Sequence, residues 1–404
     1  MDRFEHRKGT FKIHLVNADG TSAAGIATEL NQTSHEFLFG CGAFDTLDML
    51  SEQDAAKREF LTDRVEKWLK LFNYATLPFY WGRYEPNEGF PKEDITKKAA
   101  KWLKERDVTI KGHPLCWHTV CAPWLLKYSN QEILAKQLSR IKREVRAYKN
   151  LIDMWDVINE VVIMPVFDKY DNAVTRICKE LGQVKLVKSV FDEARAESGK
   201  SILLINDFNT TKAYEELLER LFDAGVCIDV IGIQSHQHQG YWGIEKIHDV
   251  LERFSRFKLP LHFTENTLVS GFLVPPEIED LNDFKVDEWP STPEAEDRQA
   301  RQMTEMYTEL FAHPSVEAIT NWSFTDGGWL GAPAGVLRAD NGIKPSYEAL
   351  NSLINDKWHT SISTVSDKDG FVSFKGFKGD YVLNVNGSTK ALKLKDGITE
   401  EVII

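Results

Sequence analysis

A regular alternation of short apolar runs with longer amphipathic segments constrains the fold of this chain more than any other feature. Each apolar run is followed by a stretch of helical periodicity. The eight runs lie at 37–43, 73–78, 108–113, 153–159, 201–206, 229–234, 261–265 and 317–323. Eight strand–helix units predict an α/β fold, a (β/α)8 or TIM barrel. An open doubly wound sheet is disfavoured because no glycine-rich nucleotide loop follows the first run.

Two terminal segments with a different pattern flank this alternation. Residues 9–31 alternate apolar and polar side chains around a turn, and short apolar stretches return after Asn355. Hairpin turns are predicted at Asp369-Gly370, Asn386-Gly387 and Asp396-Gly397. Because each terminal piece alone has too few strands to bury a core, we expect residues 1–34 and 356–404 to form one small accessory β domain. The barrel would then span 35–355.

Composition and charge exclude several classes of partner. The formal net charge is −12 and no block of basic residues occurs, which argues against nucleic acid. No apolar run approaches the roughly 18 residues of a membrane span. The first residues lack the pattern of a secretory signal, which leaves a cytoplasmic location and export with a removed signal both open. The charge suits a neutral substrate such as a sugar.

Polar and aromatic side chains cluster where the predicted strands end, which is where barrel enzymes carry their reactive groups. Glu160 follows the fourth run and Glu265 ends the seventh. The other candidates at strand ends are His113, Trp117, His118, Asn159, Gln234, His236, Trp322 and Trp329. A single glutamate at a strand end is more often an ion-pair partner, but two with nearby amides and tryptophans favour glycosidic bond hydrolysis.

Other chemistries find less support at these positions. His236 and His238 point the same way on one strand, but no third ligand is evident, so no metal is predicted. The five cysteines show no zinc-binding spacing. No cofactor is implied, because glycoside hydrolysis needs only two carboxyl groups and water.

The chain resembles glycoside hydrolase family 10, the family best known for endo-β-1,4-xylanases. The resemblance covers roughly residues 37–354. The matching motifs are KGHPLCWH (111–118), WDVINE (155–160), NDFN (206–209), IGIQSHQH (231–238), FTE (263–265) and NWSFTDGGWL (321–330). The resemblance implies hydrolysis of β-1,4-xylosidic linkages in xylan or xylo-oligosaccharides by retaining double displacement. Glu160 would be the acid/base and Glu265 the nucleophile, with carboxyl groups about 5–5.5 Å apart.

The same resemblance implies roles for the surrounding side chains. Asn159 would bind the sugar 2-hydroxyl and His236 would orient the nucleophile. The remaining substrate-binding candidates are His113, Gln234, Trp117, His118, Trp322, Trp329, Tyr80 and Trp81.

Three departures from the family pattern bear on substrate choice. After the second strand, Leu77 and Tyr80 occupy the positions of a sugar-binding Asn and Lys, and Thr267 replaces an Asp that fixes the histidine. The spacing from Trp322 to Trp329 is one residue shorter. We therefore also consider a relative acting on a different β-glycoside and a non-catalytic carbohydrate-binding barrel. The sequence leaves endo against exo action and the oligomeric state open.

Overall fold

A computed structural model of the chain describes residues 2–278, 281–395 and 399–404. Its contacts divide the chain into two compact units. One combines the N-terminal residues up to Phe39 with Tyr347–Ile404, and the other is Gly40–Ser346. The predicted domain limits, 1–34, 35–355 and 356–404, stay predictions.

The strands and helices follow one another in the predicted alternation. In chain order the strands are β1 (Lys8–Val16), β2 (Ala27–His35), β3 (Leu38–Gly42), β4 (Tyr74–Pro78), β5 (Thr109–His113), β6 (Met154–Asn159), β7 (Ile202–Asp207), β8 (Val230–His236), β9 (Leu261–Thr267), β10 (Val316–Asn321), β11 (Ser361–Val365), β12 (Phe371–Phe377), β13 (Gly379–Val385), β14 (Ser388–Leu394) and β15 (Thr399–Ile403). The α-helices are α1 (Phe44–Ser51), α2 (Ala55–Leu71), α3 (Trp81–Tyr84), α4 (Glu93–Lys104), α5 (Asn130–Ala147), α6 (Ala173–Leu181), α7 (Gln183–Glu197), α8 (Lys212–Asp223), α9 (Gly243–Ser255), α10 (Pro293–Ala312) and α11 (Pro345–Asn351). No helix within the described ranges is long and apolar enough to cross a membrane.

Strands β3 to β10 close into one barrel in chain order, with β10 beside β3. The paired neighbours run parallel, and helices connect them. The strands carry near-continuous buried runs, such as all of β6 and all of β9, because both faces of a barrel strand are covered. The predicted (β/α)8 barrel is confirmed, and its strands deliver their carboxyl ends to one rim.

The terminal unit contains two sheets that share one apolar core. The first sheet has the order β12-β1-β15 and the second β11-β2-β13-β14. Core side chains come from both sheets: Phe11, Ile13, Leu15, Leu30, Val372, Tyr381, Leu383, Leu392 and Val402. Because β1 and β2 each lie between C-terminal strands, neither end of the chain could bury this core alone. The predicted accessory β domain made from both termini is confirmed.

The three predicted hairpins have different outcomes. Asn386-Gly387 joins β13 to β14, and both residues have positive φ (51° and 80°), as a two-residue type I′ turn requires. The hairpin prediction at Asp369-Gly370 is wrong, because β11 pairs with β2 and β12 pairs with β1. Asp396-Gly397 lies outside the described residues.

Candidate active site

The two candidate glutamates stand at the carboxyl-end rim of the barrel. Glu160 directly follows β6, and its backbone has φ of 56°, an uncommon value for a side chain with a Cβ. Its N–H donates to the Asn206 carbonyl at 2.8 Å, so the turn is tied to β7. Glu265 lies within β9 and is 4% exposed. Such a held, unusual backbone is typical of residues whose side-chain direction matters.

A chain of side-chain amides joins the two carboxyl groups. The Gln234 amide donates to Oε1 of Glu160 at 3.2 Å and to Oδ1 of Asn159 at 3.1 Å. The Asn206 amide donates to the same Asn159 oxygen at 2.9 Å and to Oε1 of Glu265 at 2.8 Å. Both glutamates are therefore held in one network by neutral donors from two neighbouring strands, β7 and β8, which also share the Asn159 oxygen as acceptor.

Glu265 also contacts two histidines. Nε2 of His236 lies 3.2 Å from its Oε2, and Nε2 of His113 lies 3.8 Å from its Oε1. Nδ1 of His236 is 3.1 Å from the hydroxyl of Thr267. Thr267, which replaces the Asp of the family pattern, therefore still supplies a hydrogen-bond partner to His236.

Glu160 has the environment of a carboxylic acid that keeps its proton at neutral pH. Burial and then the negative charge of Glu265 raise the pKa of Glu160 to about 8. Nε1 of Trp117 donates to Oε2 of Glu160 at 2.8 Å, which opposes part of this rise. One group is thus poised as an acid beside a second carboxylate.

A buried ion pair lies behind His113. The Lys111 and Asp156 side chains are both fully buried, and Nζ of Lys111 lies 2.8 Å from Oδ2 of Asp156. The same oxygen is 2.7 Å from Nδ1 of His113. Although burial alone would raise the pKa of Asp156, the Lys111 charge and the His113 hydrogen bond hold it below its usual range. Asp156 is therefore ionised, and its carboxylate orients the His113 ring.

Two tryptophans line the site beside the histidines. Trp322 meets the His113 ring edge-on, with centroids 5.1 Å apart. Trp329 stacks on His236 at 4.5 Å with an interplanar angle of 9°. Although the spacing between these tryptophans is one residue shorter than in the family pattern, Trp329 contacts His236, which in turn contacts Glu265.

The segment around the end of β4, the second strand of the barrel, supplies one aromatic side chain to the site. Leu77 is fully buried within β4. The Tyr80 ring lies 5.6 Å from the rings of His113 and Trp117. Burial and the charge of Glu265 raise the pKa of the Tyr80 phenol well above its usual value. Tyr80 thus faces the carboxylates, whereas Leu77 belongs to the core.

Two predicted substrate-binding residues, Trp81 and His118, are buried. Trp81 is buried, its Nε1 donates to Glu85 at 3.1 Å, and the Arg140 guanidinium lies 5.0 Å from its ring centroid. His118 is also buried, and burial lowers its pKa to about 4. The sugar contacts of Trp81 and His118 stay predictions.

Asn206 is the main site residue that the sequence-based selection omitted. Both of its amide contacts are to site residues, and its own oxygen accepts from the Thr264 hydroxyl. The available signal was a polar side chain near the end of the apolar strand β7. Among the residues with described positions, no three His, Cys, Asp or Glu side chains form a group suited to a metal ion.

Two known proteins resemble this chain over about half and over nearly all of its length. An endo-1,4-beta-xylanase/feruloyl esterase of Xylanibacter ruminicola is 25% identical over 222 residues, covering 48% of this chain and 30% of that protein. An anti-sigma-I factor of Acetivibrio thermocellus is 23% identical over 388 residues, covering 94% of this chain and 45% of that protein. The chain thus spans less than half the length of either relative.

A solved structure and a family model give the same classification. The structure of a family 10 glycoside hydrolase from Paenibacillus barcinonensis superimposes with a TM-score of 0.64 at 20% identity, covering 79% of this chain and 95% of that one. At that identity the likeness concerns the fold. The family model described as Glycosyl hydrolase family 10 matches residues 79–352, which include Glu160 and Glu265. The chain belongs to glycosyl hydrolase family 10.

Proposed function

We propose that this protein is a retaining glycoside hydrolase that cleaves β-1,4-xylosidic linkages in xylan or xylo-oligosaccharides. The observation that carries the proposal is the pairing of two different carboxyl groups. The pKa of Glu160 is raised to about 8, and the Glu265 carboxylate accepts a hydrogen bond from the Asn206 amide. One group can donate a proton at neutral pH while the other attacks carbon. That division of labour is what a retaining glycosidase requires.

In the first step Glu265 attacks the anomeric carbon. The carbon–oxygen bond to the leaving sugar breaks, and the Glu160 proton passes to that oxygen. Asn206 and His236 hold the two oxygens of Glu265 and so restrict the direction of attack. The product is a glycosyl ester on Glu265 and a Glu160 carboxylate.

In the second step water attacks the same carbon and the ester bond breaks. Glu265 is uncharged as an ester, so its contribution to the raised pKa of Glu160 is removed during this step. Glu160 can then remain ionised and take the proton from the attacking water. The coupling between the two groups thus suits Glu160 to act first as acid and then as base.

The names of similar proteins support a xylan-type substrate. The Xylanibacter ruminicola relative is named as an endo-1,4-beta-xylanase. The tryptophan rings at Trp322 and Trp329, next to the histidines, would pack against a sugar ring. We propose endo-xylanase activity on this basis.

A second candidate is a family member acting on a different β-glycoside. Tyr80 faces Glu265 where the family pattern has a cationic sugar-binding side chain, which favours a rebuilt glycone site. A third candidate is a non-catalytic carbohydrate-binding barrel, because the Acetivibrio thermocellus relative is named as an anti-sigma-I factor.

An assay with matched variants separates these candidates. Wild type and Glu265→Ala would be compared on xylan and on aryl β-xylobioside, β-xyloside and β-glucoside, with product anomers followed by NMR. We expect β-anomer product from the xylobioside and xylan, and loss of turnover in the variant. Turnover of the glucoside alone would favour the second candidate. A wild type no faster than Glu265→Ala on every substrate would favour the binding barrel.

A further inference from the structure

A fully buried lysine, Lys344, lies just before α11. Its ammonium donates to the Ser270 hydroxyl at 2.7 Å, to Oδ1 of Asp326 at 2.9 Å and to the Gly335 carbonyl at 2.8 Å. The three protons of the ammonium are thereby all used. Asp326 supplies the counter-charge, which offsets the cost of enclosing a cation.

The three acceptors belong to two loops of the carboxyl-end rim. Ser270 lies in the loop after β9. Asp326 and Gly335 lie in the loop after β10, residues 322–343, which we call the β10 loop. Because hydrogen bonds from a charged donor are stronger than neutral ones, Lys344 ties these two loops firmly together.

Further contacts close the β10 loop around this tie. The Gly335 N–H donates to Oδ1 of Asp326 at 3.0 Å, and the Ser270 hydroxyl donates to the Pro333 carbonyl at 2.8 Å. A Cβ at Gly335 would overlap the Thr325 backbone, so the two limbs of the loop approach as closely as glycine permits. The conformation of the loop therefore depends on the groups that meet at the ammonium.

The β10 loop carries Trp329, whose indole stacks on the His236 ring at 4.5 Å. Trp329 also packs against a buried apolar cluster that includes Val269 and Ala332, one side chain from each of the two loops. Nε2 of His236 in turn lies 3.2 Å from Oε2 of Glu265. The tie between the loops thus leads, through one indole, to a histidine that contacts the carboxylate.

We propose that Lys344 is a positioning residue that holds Trp329 against His236. Through this stack it acts on Glu265, because an indole held in place restricts the rotation of the His236 ring. Without the tie the β10 loop gains freedom, and the orientation of that ring is lost part of the time. The catalytic consequence rests on the proposed function, whereas the stacking itself requires no reaction.

Removal of both charges separates positioning from stability. Lys344→Met alone leaves Asp326 without its counter-charge and should lower stability, whereas Lys344→Met/Asp326→Asn removes both charges. We expect this double variant to unfold at a urea concentration close to that of wild type. Its kcat/KM should nevertheless fall about tenfold for xylobiosyl fluoride, a substrate whose leaving group needs no acid. In a Trp329→Ala background the same two substitutions should lower kcat/KM by less than about twofold, because they act through the indole.

NMR of the His236 ring tests the positioning without turnover. In the stacked geometry the indole ring current shifts the His236 ring protons upfield. We expect Lys344→Met/Asp326→Asn to move these resonances toward their positions in Trp329→Ala. Ser270→Ala, which removes one acceptor of the ammonium and no charge, should move them in the same direction by a smaller amount.

A matched control removes an ion pair elsewhere in the barrel. Arg253→Met/Glu215→Gln deletes a pair between α9 and α8, whose charged atoms lie 2.7 Å apart. We expect wild-type kcat/KM and wild-type His236 resonances in this control.

The outcomes distinguish this inference from the proposed function. Unchanged His236 resonances in Lys344→Met/Asp326→Asn, or an equal loss of kcat/KM with and without Trp329, would overturn the role of Lys344. If the double variant does not fold, unchanged resonances in Ser270→Ala would overturn it. A wild-type protein that leaves xylobiosyl fluoride intact would instead overturn the proposed function, and the resonances would still decide on Lys344.

Discussion

At the scale of single residues, the ionisation of Glu160 governs the proposed chemistry. In the proposed mechanism its carboxyl group is the proton donor of the first step and the proton acceptor of the second. Burial and the charge of Glu265 set its pKa to about 8, so the acid form predominates at neutral pH. The sign of the shift is the one that a general acid needs, because a raised pKa extends the protonated range upward.

We predict an alkaline limb in the pH profile that depends on the leaving group. For xylotetraose, kcat/KM should fall as pH rises above about 8, because Glu160 loses its proton there. Xylobiosyl fluoride needs no acid assistance, so its profile should stay flat through that range. Both profiles would be measured on the same preparation. An alkaline limb shared by both substrates would argue against Glu160 as the acid.

We further predict that the Thr267 hydroxyl positions His236. When Nε2 of His236 donates to Glu265, Nδ1 must accept, and the threonine hydroxyl is its donor. Thr267→Val should lower kcat about fivefold, which corresponds to about 1 kcal/mol for one hydrogen bond. Thr267→Ser should stay within about twofold of wild type. Nitrogen NMR of the His236 ring would report a changed tautomer balance only in the valine variant.

The catalytic candidates were predictable because polar side chains end otherwise apolar strands. Tyr80 and Trp81 could not be separated in the same way, since they are adjacent in sequence. The helix α3 begins at Trp81 and brings its indole to Glu85, one helical turn later. The contact between Thr267 and His236 was not predictable from the sequence, because a hydroxyl can replace a carboxylate as the partner of a histidine only at a suitable distance.

At the scale of elements, the β5–β6 pair carries the buried charge behind the site. Lys111 and Asp156 lie on these neighbouring strands, fully enclosed in the barrel. Removing one partner would leave a buried charge without compensation.

We therefore predict a large stability loss for Lys111→Met. The free energy of unfolding should fall by about 3–5 kcal/mol, because Asp156 would stay buried without its counter-charge. Lys101→Met on α4 replaces an exposed lysine and should change the value by less than about 0.5 kcal/mol. Urea unfolding followed by fluorescence would measure both. Equal midpoints for wild type and Lys111→Met would contradict the role given to this ion pair.

The turns illustrate which part of an element the sequence can predict. Asn386-Gly387 has the positive φ values that its dipeptide favours, and the strands on either side pair with each other. Asp369-Gly370 also reverses the chain, but the adjacent strands pair with β1 and β2, more than 300 residues away in sequence. A local turn signal specifies a change of direction, whereas the pairing partner depends on which apolar faces share a core.

At the scale of the whole molecule, the eightfold alternation was sufficient to predict the barrel and the rim on which the site lies. The amide network between the glutamates was not predictable in detail, because its members come from β6, β7, β8 and β9 and meet only when the barrel closes. We expect the choice of substrate to depend on side chains such as Tyr80 that depart from the family pattern.

The central claim is that Glu265 forms a covalent glycosyl ester assisted by Glu160. An activated 2-deoxy-2-fluoro-xylobioside tests it most directly. The fluorine slows both steps, whereas the good leaving group restores the rate of the first step, so the glycosyl ester accumulates. After incubation and digestion, mass spectrometry would locate any attached sugar. We predict one fluoroxylobiosyl group on the peptide containing Glu265, and none in Glu265→Ala. Attachment to another residue, or turnover of the unmodified xylobioside with inversion and no attachment, would contradict the account.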